Sequence, residues 1–206
     1  GRDDVLRRGE MVPVGWRAQA LSAVEQGAFW LSEHPERVGR AGWDAALPRI
    51  ATWVRLVRRE ASGVTGSPPT LLVVNTHFDH RGEEARRQSA LLLRRWVAEH
   101  RGESDVLVIG DLNAMIGSPP LHALLSDDSS EHPLFADARD HAGKPDPGPD
   151  STWNGFSRIK PGARIDHILF QGSRLRVLAY ETLDPRTPSG RFASDHLPVT
   201  AAIAFP

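Results

Sequence analysis

Two short apolar runs constrain this chain more than anything else in it. TLLVVNTHF (70–78) and DVLVIGDLNA (105–114) are each continuous in apolar residues and then turn polar. Runs of that length without alternation read as strands buried on both faces. Their ends then deliver polar side chains at a sheet edge: Asn75 and His77 from the first, Asp111 and Asn113 from the second. Between them, 82–102 carries the clearest helical period in the chain. Ala85, Ser89, Leu92 and Trp96 recur on one face, and Leu93 and Val97 widen it. Glu83 and Glu84 in the first turn suit the helix dipole, and Gly102 ends the pattern.

Most of the remaining segments are strand-like. In 49–59, Ala51, Trp53, Arg55 and Val57 face one way and Ile50, Thr52, Val54 and Leu56 the other. A strand core is expected at 28–31, and 8–16 reads as the end of a broken strand. In 163–170 Ile165, His167 and Leu169 share one face, and Asp166, Ile168 and Phe170 share the other. Strands are also expected in 174–183 and 197–205. A short helix is expected in 118–126, with Ser118 as N-cap and Pro119 at its first position. The stretches 60–69, 140–151 and 189–196 read as loops. Many strands and few helices predict an α/β fold of two packed β-sheets flanked by helices. With no linker or repeat, residues 1–206 read as a single domain.

Composition narrows the chemistry. The formal charge of -1 provides no global basic field to draw nucleic acid, so phosphate binding must come from a local patch. No cysteine is present, which excludes a disulfide framework, a thiol nucleophile and a cysteine zinc site. No apolar run approaches the roughly 20 residues of a membrane span. The compartment is left open, and no obligate protein partner is evident.

Four strand-to-loop junctions carry acids, amides or imidazoles: Asn75/His77, Asp111/Asn113, Asp166 and Asp195/His196. Phosphoester hydrolysis needs such a set. A hard cation must neutralise the phosphoryl oxygens and the departing alkoxide. Mg²⁺ requires only one or two protein carboxylates, and the attacking water needs a carboxylate or imidazole to orient it. The THFDH run (76–80) offers another reading, a zinc hydrolase. That reading needs further ligands at suitable spacing, and His122, His132 and His141 lack it. Asp79 and His80 read as loop residues, with Asp79 receiving a nearby arginine. Arg2, Arg49 and Arg86 could touch phosphate, though structural roles are commoner. Trp16, Trp30, Trp43 and Trp153 could stack on a base or sugar, though packing is the commoner fate of tryptophan.

VVNTHFDHRG, VIGDLNA, RIDHILF and ASDHLPV, in this order, resemble the endonuclease/exonuclease/phosphatase family of metal-dependent hydrolases built like DNase I. GRDD with GE, FWLSEHP and GWDAALPRIATW resemble a bacterial branch of it. The resemblance implies a DNase I-like four-layer α/β sandwich and a Mg²⁺- or Mn²⁺-dependent phosphoesterase. It implies that Asp111 orients or deprotonates water, that Asn113 and His77 contact the phosphate, and that Asp111 and Asp195 hold the metal. His196 would act as base or transition-state donor, with Asp166 fixing its tautomer. The substrate would be a phosphoester, with nucleic acid among the candidates. Members of the family begin with a strand ending in Asn and another ending in Gln-Glu. Neither stands here, so the first strands and one metal carboxylate are expected to be missing, and the activity of such a chain is in doubt. A non-catalytic or decayed module that only binds is the alternative this leaves open.

Overall fold

The computed structural model describes residues 1–4, 8–59, 68–126 and 134–205. Its elements in chain order are β1 (Leu21–Trp30), β2 (Ile50–Arg58), β3 (Thr70–His77), α1 (Glu83–His100), β4 (Asp105–Asp111), α2 (Pro119–Leu125), β5 (Ala136–Asp137), β6 (Asp166–Gln171), β7 (Arg176–Thr182) and β8 (Val199–Ala204). Six strands form a mixed sheet in the order β1-β2-β3-β4-β6-β5, and β7 and β8 form a second, antiparallel one. The two apolar runs become β3 and β4, the one parallel pair in the larger sheet, with α1 between them in sequence.

The faces of the larger sheet explain the sequence pattern. One face carries Ala51, Leu72, Val74, Val106, Val108 and Leu169 against Leu93, Trp96 and Val97 of α1 and Leu121 and Leu124 of α2. The opposite face buries Val54, Leu56, Leu71 and Val73, with Ile203 of β8 packed against them. Near β6, Ile168 and Phe170 pack with Val177 and Tyr180 of β7. Because β3 and β4 are covered on both faces, they show no alternation. The result is the two-sheet α/β sandwich of the DNase I-like kind. The described residues supply three of its layers: helices, six-stranded sheet and two-stranded sheet.

Several elements differ from the sequence reading. Residues 8–16 form no strand; Val12 is instead tucked against Trp30 and Ile50. β1 begins at Leu21 rather than near residue 28, and its residues 23–28 are exposed. An edge strand with outward side chains offers no buried face to read as a period. Ser118 occupies the N-cap position of α2, but its hydroxyl donates back to Met115 O at 2.5 Å. The N-terminus of α1 is capped from a distance: Asp44 Oδ1 accepts from Ala85 N at 2.6 Å. The loop expected at 60–69 lies mostly outside the described residues, as does His132.

Gly110 in β4 shows how tightly the central pair is built. Its φ is 130°, and a Cβ there would lie 2.0 Å from Thr76 O. Gly110→Ala is therefore expected to destabilise the fold by about 2 kcal/mol or more, lowering Tm by roughly 4–8 °C in a calorimetric scan. An unchanged Tm would contradict this packing.

Candidate active site

The register of three adjacent strands sets out the site. His77, the last residue of β3, pairs with Asp111, the last of β4. Asp111 in turn pairs with Asp166, the first of β6. Directly opposed residues project from the same face, so an imidazole and two carboxylates stand in one row. His196 completes the group from a loop, which bridges to Trp153 and is tied by Leu197 N donating to Thr152 O at 2.7 Å. Thr152 Oγ1 also accepts from Asp166 N at 3.1 Å, so one buried threonine fixes both halves of the pair.

The contacts are specific. His196 Nδ1 lies 2.8 Å from Asp166 Oδ2, and its Nε2 lies 3.8 Å from Asp111 Oδ2. His77 Nε2 lies 3.2 Å from Asp111 Oδ2. Asn113 sits in a left-handed turn at φ 46°, held by its backbone N–H donating to Asp111 Oδ1 at 2.8 Å. That turn aims its amide at His77 Nε2, 2.9 Å away, and at Phe78 O, 3.0 Å away. His77, Asp111, Asn113, Asp166 and His196 thus line one connected set of contacts.

The electrostatics follow from these contacts. The Asp166 hydrogen bond pushes the His196 pKa up; burial opposes it, and the charges of Asp166, Asp111 and Asp195 add to it. Burial tends to raise the Asp111 pKa, but the hydrogen bond and charge of His77, the Asn113 N–H and the charge of His196 outweigh it, and the carboxyl stays below its ordinary value. Asp111, Asp166 and His196 each offer an atom within 4.8 Å of the others, the one such group of potential metal donors among the described residues. Two carboxylates and an imidazole around that space suit a divalent ion with bonds of about 2.1 Å, whose neighbouring ligands stand about 3 Å apart. The carboxylate of Asp195 is not in this group. Its backbone carbonyl instead accepts from Asn154 N and Gly155 N, at 2.8 and 3.1 Å.

Glu10 was missed in the sequence reading. Its Oε1 lies 2.7 Å from His77 Nδ1. The two are 67 residues apart, and nothing in RRGE marks an acid as a partner for a distant imidazole. Glu10 Oε2 also accepts from Arg49 Nη1 at 3.3 Å. Another unforeseen support lies behind the loop. His167 Nε2 donates to Ala114 O at 2.9 Å, and its Nδ1 lies 3.4 Å from both Arg164 Nη1 and Asp137 Oδ2. Arg164 also donates to the buried Asp137 at 2.8 Å. This network pins the carbonyl next to Asn113.

Asn113, Ala114, His77, Asp111 and His196 face a cleft of about 1240 Å³, while Asp166, behind His196, lines a neighbouring cleft of about 510 Å³ that His196 also borders. Trp153, Arg2, Arg49 and Arg86 also line the larger cleft. All three arginines are engaged: Arg2 with Glu10, Arg49 with Asp79, and Arg86 with Asp79 O at 2.8 Å.

Residues 13–196 match the Endonuclease/Exonuclease/phosphatase family. The chain belongs to that family. The structure of the endonuclease/exonuclease/phosphatase from Bacteroides vulgatus is 34% identical, with a TM-score of 0.87, over 100% of this chain and 74% of that one. A family protein from Bacteroides thetaiotaomicron is 29% identical at a TM-score of 0.85, over 100% and 73% of the two chains. The mannosyl-6-phosphatase of Bacteroides thetaiotaomicron is 28% identical at 0.77, over 92% and 69%. No curated protein matches. As a member of the endonuclease/exonuclease/phosphatase family, with a candidate metal triad, the chain is a metal-dependent hydrolase acting on ester bonds. No helix among the described residues is long and apolar enough to cross a membrane.

The zinc reading of THFDH does not survive the geometry. Asp79 is buried and spends its oxygens on Arg81 N, Gly82 N and Arg49. His80 Nδ1 faces Arg49 Nη2 at 3.0 Å. Neither joins a group of metal donors among the described residues. Asp79 is instead a structural anchor. Burial raises its pKa, but the N–H groups of Gly82, Arg81 and Ala46 and the charge of Arg49 outweigh this and hold it well below the ordinary carboxylate range. A depressed folded value means that this stability is present above about pH 3.9 and is lost as pH falls below it. Asp79→Asn takes from the buried Arg49 one of its two carboxylate partners, Glu10 being the other, so a loss of about 2 kcal/mol at pH 7 is expected in urea unfolding. The variant should also show a flatter acid limb, and an unchanged acid limb would contradict the anchor role.

Proposed function

We propose that this protein is a Mg²⁺- or Mn²⁺-dependent phosphoesterase that cleaves a P–O bond by attack of an activated water. The observation that carries the reading is the row His77, Asp111, Asp166 on adjacent strand ends, closed by His196. When bound, a divalent ion would supply positive charge against the phosphoryl oxygens and the departing alkoxide. Asp111, which belongs to the donor group, and Asp195, the neighbour of His196 whose carboxylate stands outside that group, are the carboxylates proposed to hold it. Asp111 also orients or deprotonates the attacking water. Asn113 and His77 donate to the phosphoryl oxygens. With Nδ1 engaged by Asp166, His196 presents Nε2 to the reacting centre as base or transition-state donor. The resemblance to a relative described as a mannosyl-6-phosphatase supports a phosphomonoester substrate.

The test uses the purified chain after chelation, assayed on p-nitrophenyl phosphate and bis-p-nitrophenyl phosphate. Hydrolysis of either ester is expected on adding Mg²⁺ or Mn²⁺ and should stop with EDTA. Hydrolysis that answers only to Zn²⁺, or that ignores chelation, would overturn the reading. Binding of phosphate without turnover under any metal would favour a module that only binds.

A further inference from the structure

The charge lining the cleft says what the phosphate is attached to. Among the described residues four arginines face it: Arg2, Arg49, Arg86 and Arg87. Five carboxylates face it as well: Glu10, Asp44, Glu83, Glu84 and Asp111. With its histidines neutral the cleft therefore carries one net negative charge, and a divalent ion would leave it with one net positive charge. The arginines are also spoken for. Arg87 is held by Glu84 through two contacts of 2.7 and 2.9 Å, and Arg2 is paired with Glu10. A polynucleotide needs a series of unpaired cations along its backbone, because release of counterions from its phosphates supplies most of the binding energy. The described lining offers no such track, and Lys160 beside it is a single charge set over the Trp153 ring.

The same surface is well made for hydroxyl groups. Glu83 stands in the first turn of α1 with its carboxylate exposed and lines the cleft. Carboxylates accept, and the outer N–H groups of Arg86 and Arg87 donate, so the wall offers both halves of a hydroxyl's hydrogen bonds. Trp153, half-buried with Lys160 Nζ 3.6 Å from its ring centroid, and the exposed Met115 add apolar edges to the same lining. Apolar edges together with paired charges suit a carbon skeleton with C–H faces and hydroxyl rims.

We propose that the cleft selects a phosphate ester of a hydroxyl-rich, otherwise uncharged alcohol, a sugar or polyol monophosphate, over a nucleic acid. This rests on the phosphoesterase reading and narrows it. The ester could be a free sugar phosphate or the phosphate of a glycan, and the substrate panel separates these sources.

The experiment measures kcat/KM in Mg²⁺ for glucose 6-phosphate, glycerol phosphate, a phosphorylated oligomannoside and a single-stranded DNA 12-mer. Binding of the same compounds is followed by tryptophan fluorescence from 50 to 200 mM salt. At least one hydroxyl-rich monophosphate is expected to exceed the 12-mer by about ten-fold or more in kcat/KM. The 12-mer is expected to bind weakly at every salt concentration. In Glu83→Lys, with folding checked by circular dichroism, 12-mer affinity should rise several-fold with a steeper salt dependence, while sugar phosphate affinity falls. If the 12-mer matches or exceeds every hydroxyl-rich ester, the selectivity proposal fails and metal-dependent esterase action on p-nitrophenyl substrates still stands. If no phosphoester, p-nitrophenyl esters included, is hydrolysed or bound with any metal, both fail.

Discussion

Asp111→Ala is expected to lower turnover of bis-p-nitrophenyl phosphate in Mg²⁺ by at least ~10²-fold, and by more at limiting metal. Asp111 sits in the middle of the row. It receives His77 Nε2 at 3.2 Å, His196 Nε2 at 3.8 Å and the backbone of Asn113 at 2.8 Å. Its removal takes away a metal carboxylate, the water-orienting oxygen and the acceptor that holds the Asn113 turn. The measurement is a metal titration of initial rate, with folding followed by circular dichroism. Turnover within a few-fold of the parent at saturating Mg²⁺ would contradict the role assigned to Asp111. Some loss of stability is expected alongside, because Asp111 accepts from the Asn113 N–H and faces His77, contacts that hold its carboxyl below the ordinary value in the folded state.

His196→Ala is expected to cost ~10²–10⁴-fold in kcat, the range of a lost acid-base group. The structure adds a condition to that figure. Asp166 reaches the active centre chiefly through His196, at 2.8 Å on Nδ1. If it acts by fixing the ring, Asp166→Asn should cost less than His196→Ala, and adding it to His196→Ala should cost almost nothing further. Residues that work as a unit are grossly non-additive in this way. Kinetics of the two single variants and the double variant make the comparison. Fully additive losses would mean that Asp166 has its own duty at the reacting centre, such as holding the ion.

How much of this was legible in the sequence depended on the range of the signal. β3, α1 and β4 were readable because their periods are set by burial within the element itself: Leu72 and Val74 are fully buried, and so are Leu93 and Ala90. The ends of those strands could be read as polar for the same reason. Their order in the sheet could not. That His77, Asp111 and Asp166 share one row is a matter of register across three strands, which no local pattern carries. Glu10 and Asp44 were illegible for a related reason. Each serves a partner far along the chain, His77 in one case and the backbone of Ala85 in the other. The first half of β1 was lost because its side chains point to solvent. The support beneath the Asn113 turn was half visible: the alternation in β6 sent His167 inward, but Asp137 and Arg164, which complete that buried cluster, gave no sign of it.

The parallel pair β3–β4 has an implication for how such a catalyst could be retooled. Gly110 lets the backbones come so close that the spacing between His77 and Asp111 is a property of the sheet. Mutation cannot adjust it in small steps without dismantling the scaffold. New preferences would have to be written into exposed side chains that frame the opening, above all those of Met115 and Glu83. Chemistry would be inherited as a fixed block, and selectivity would drift around it.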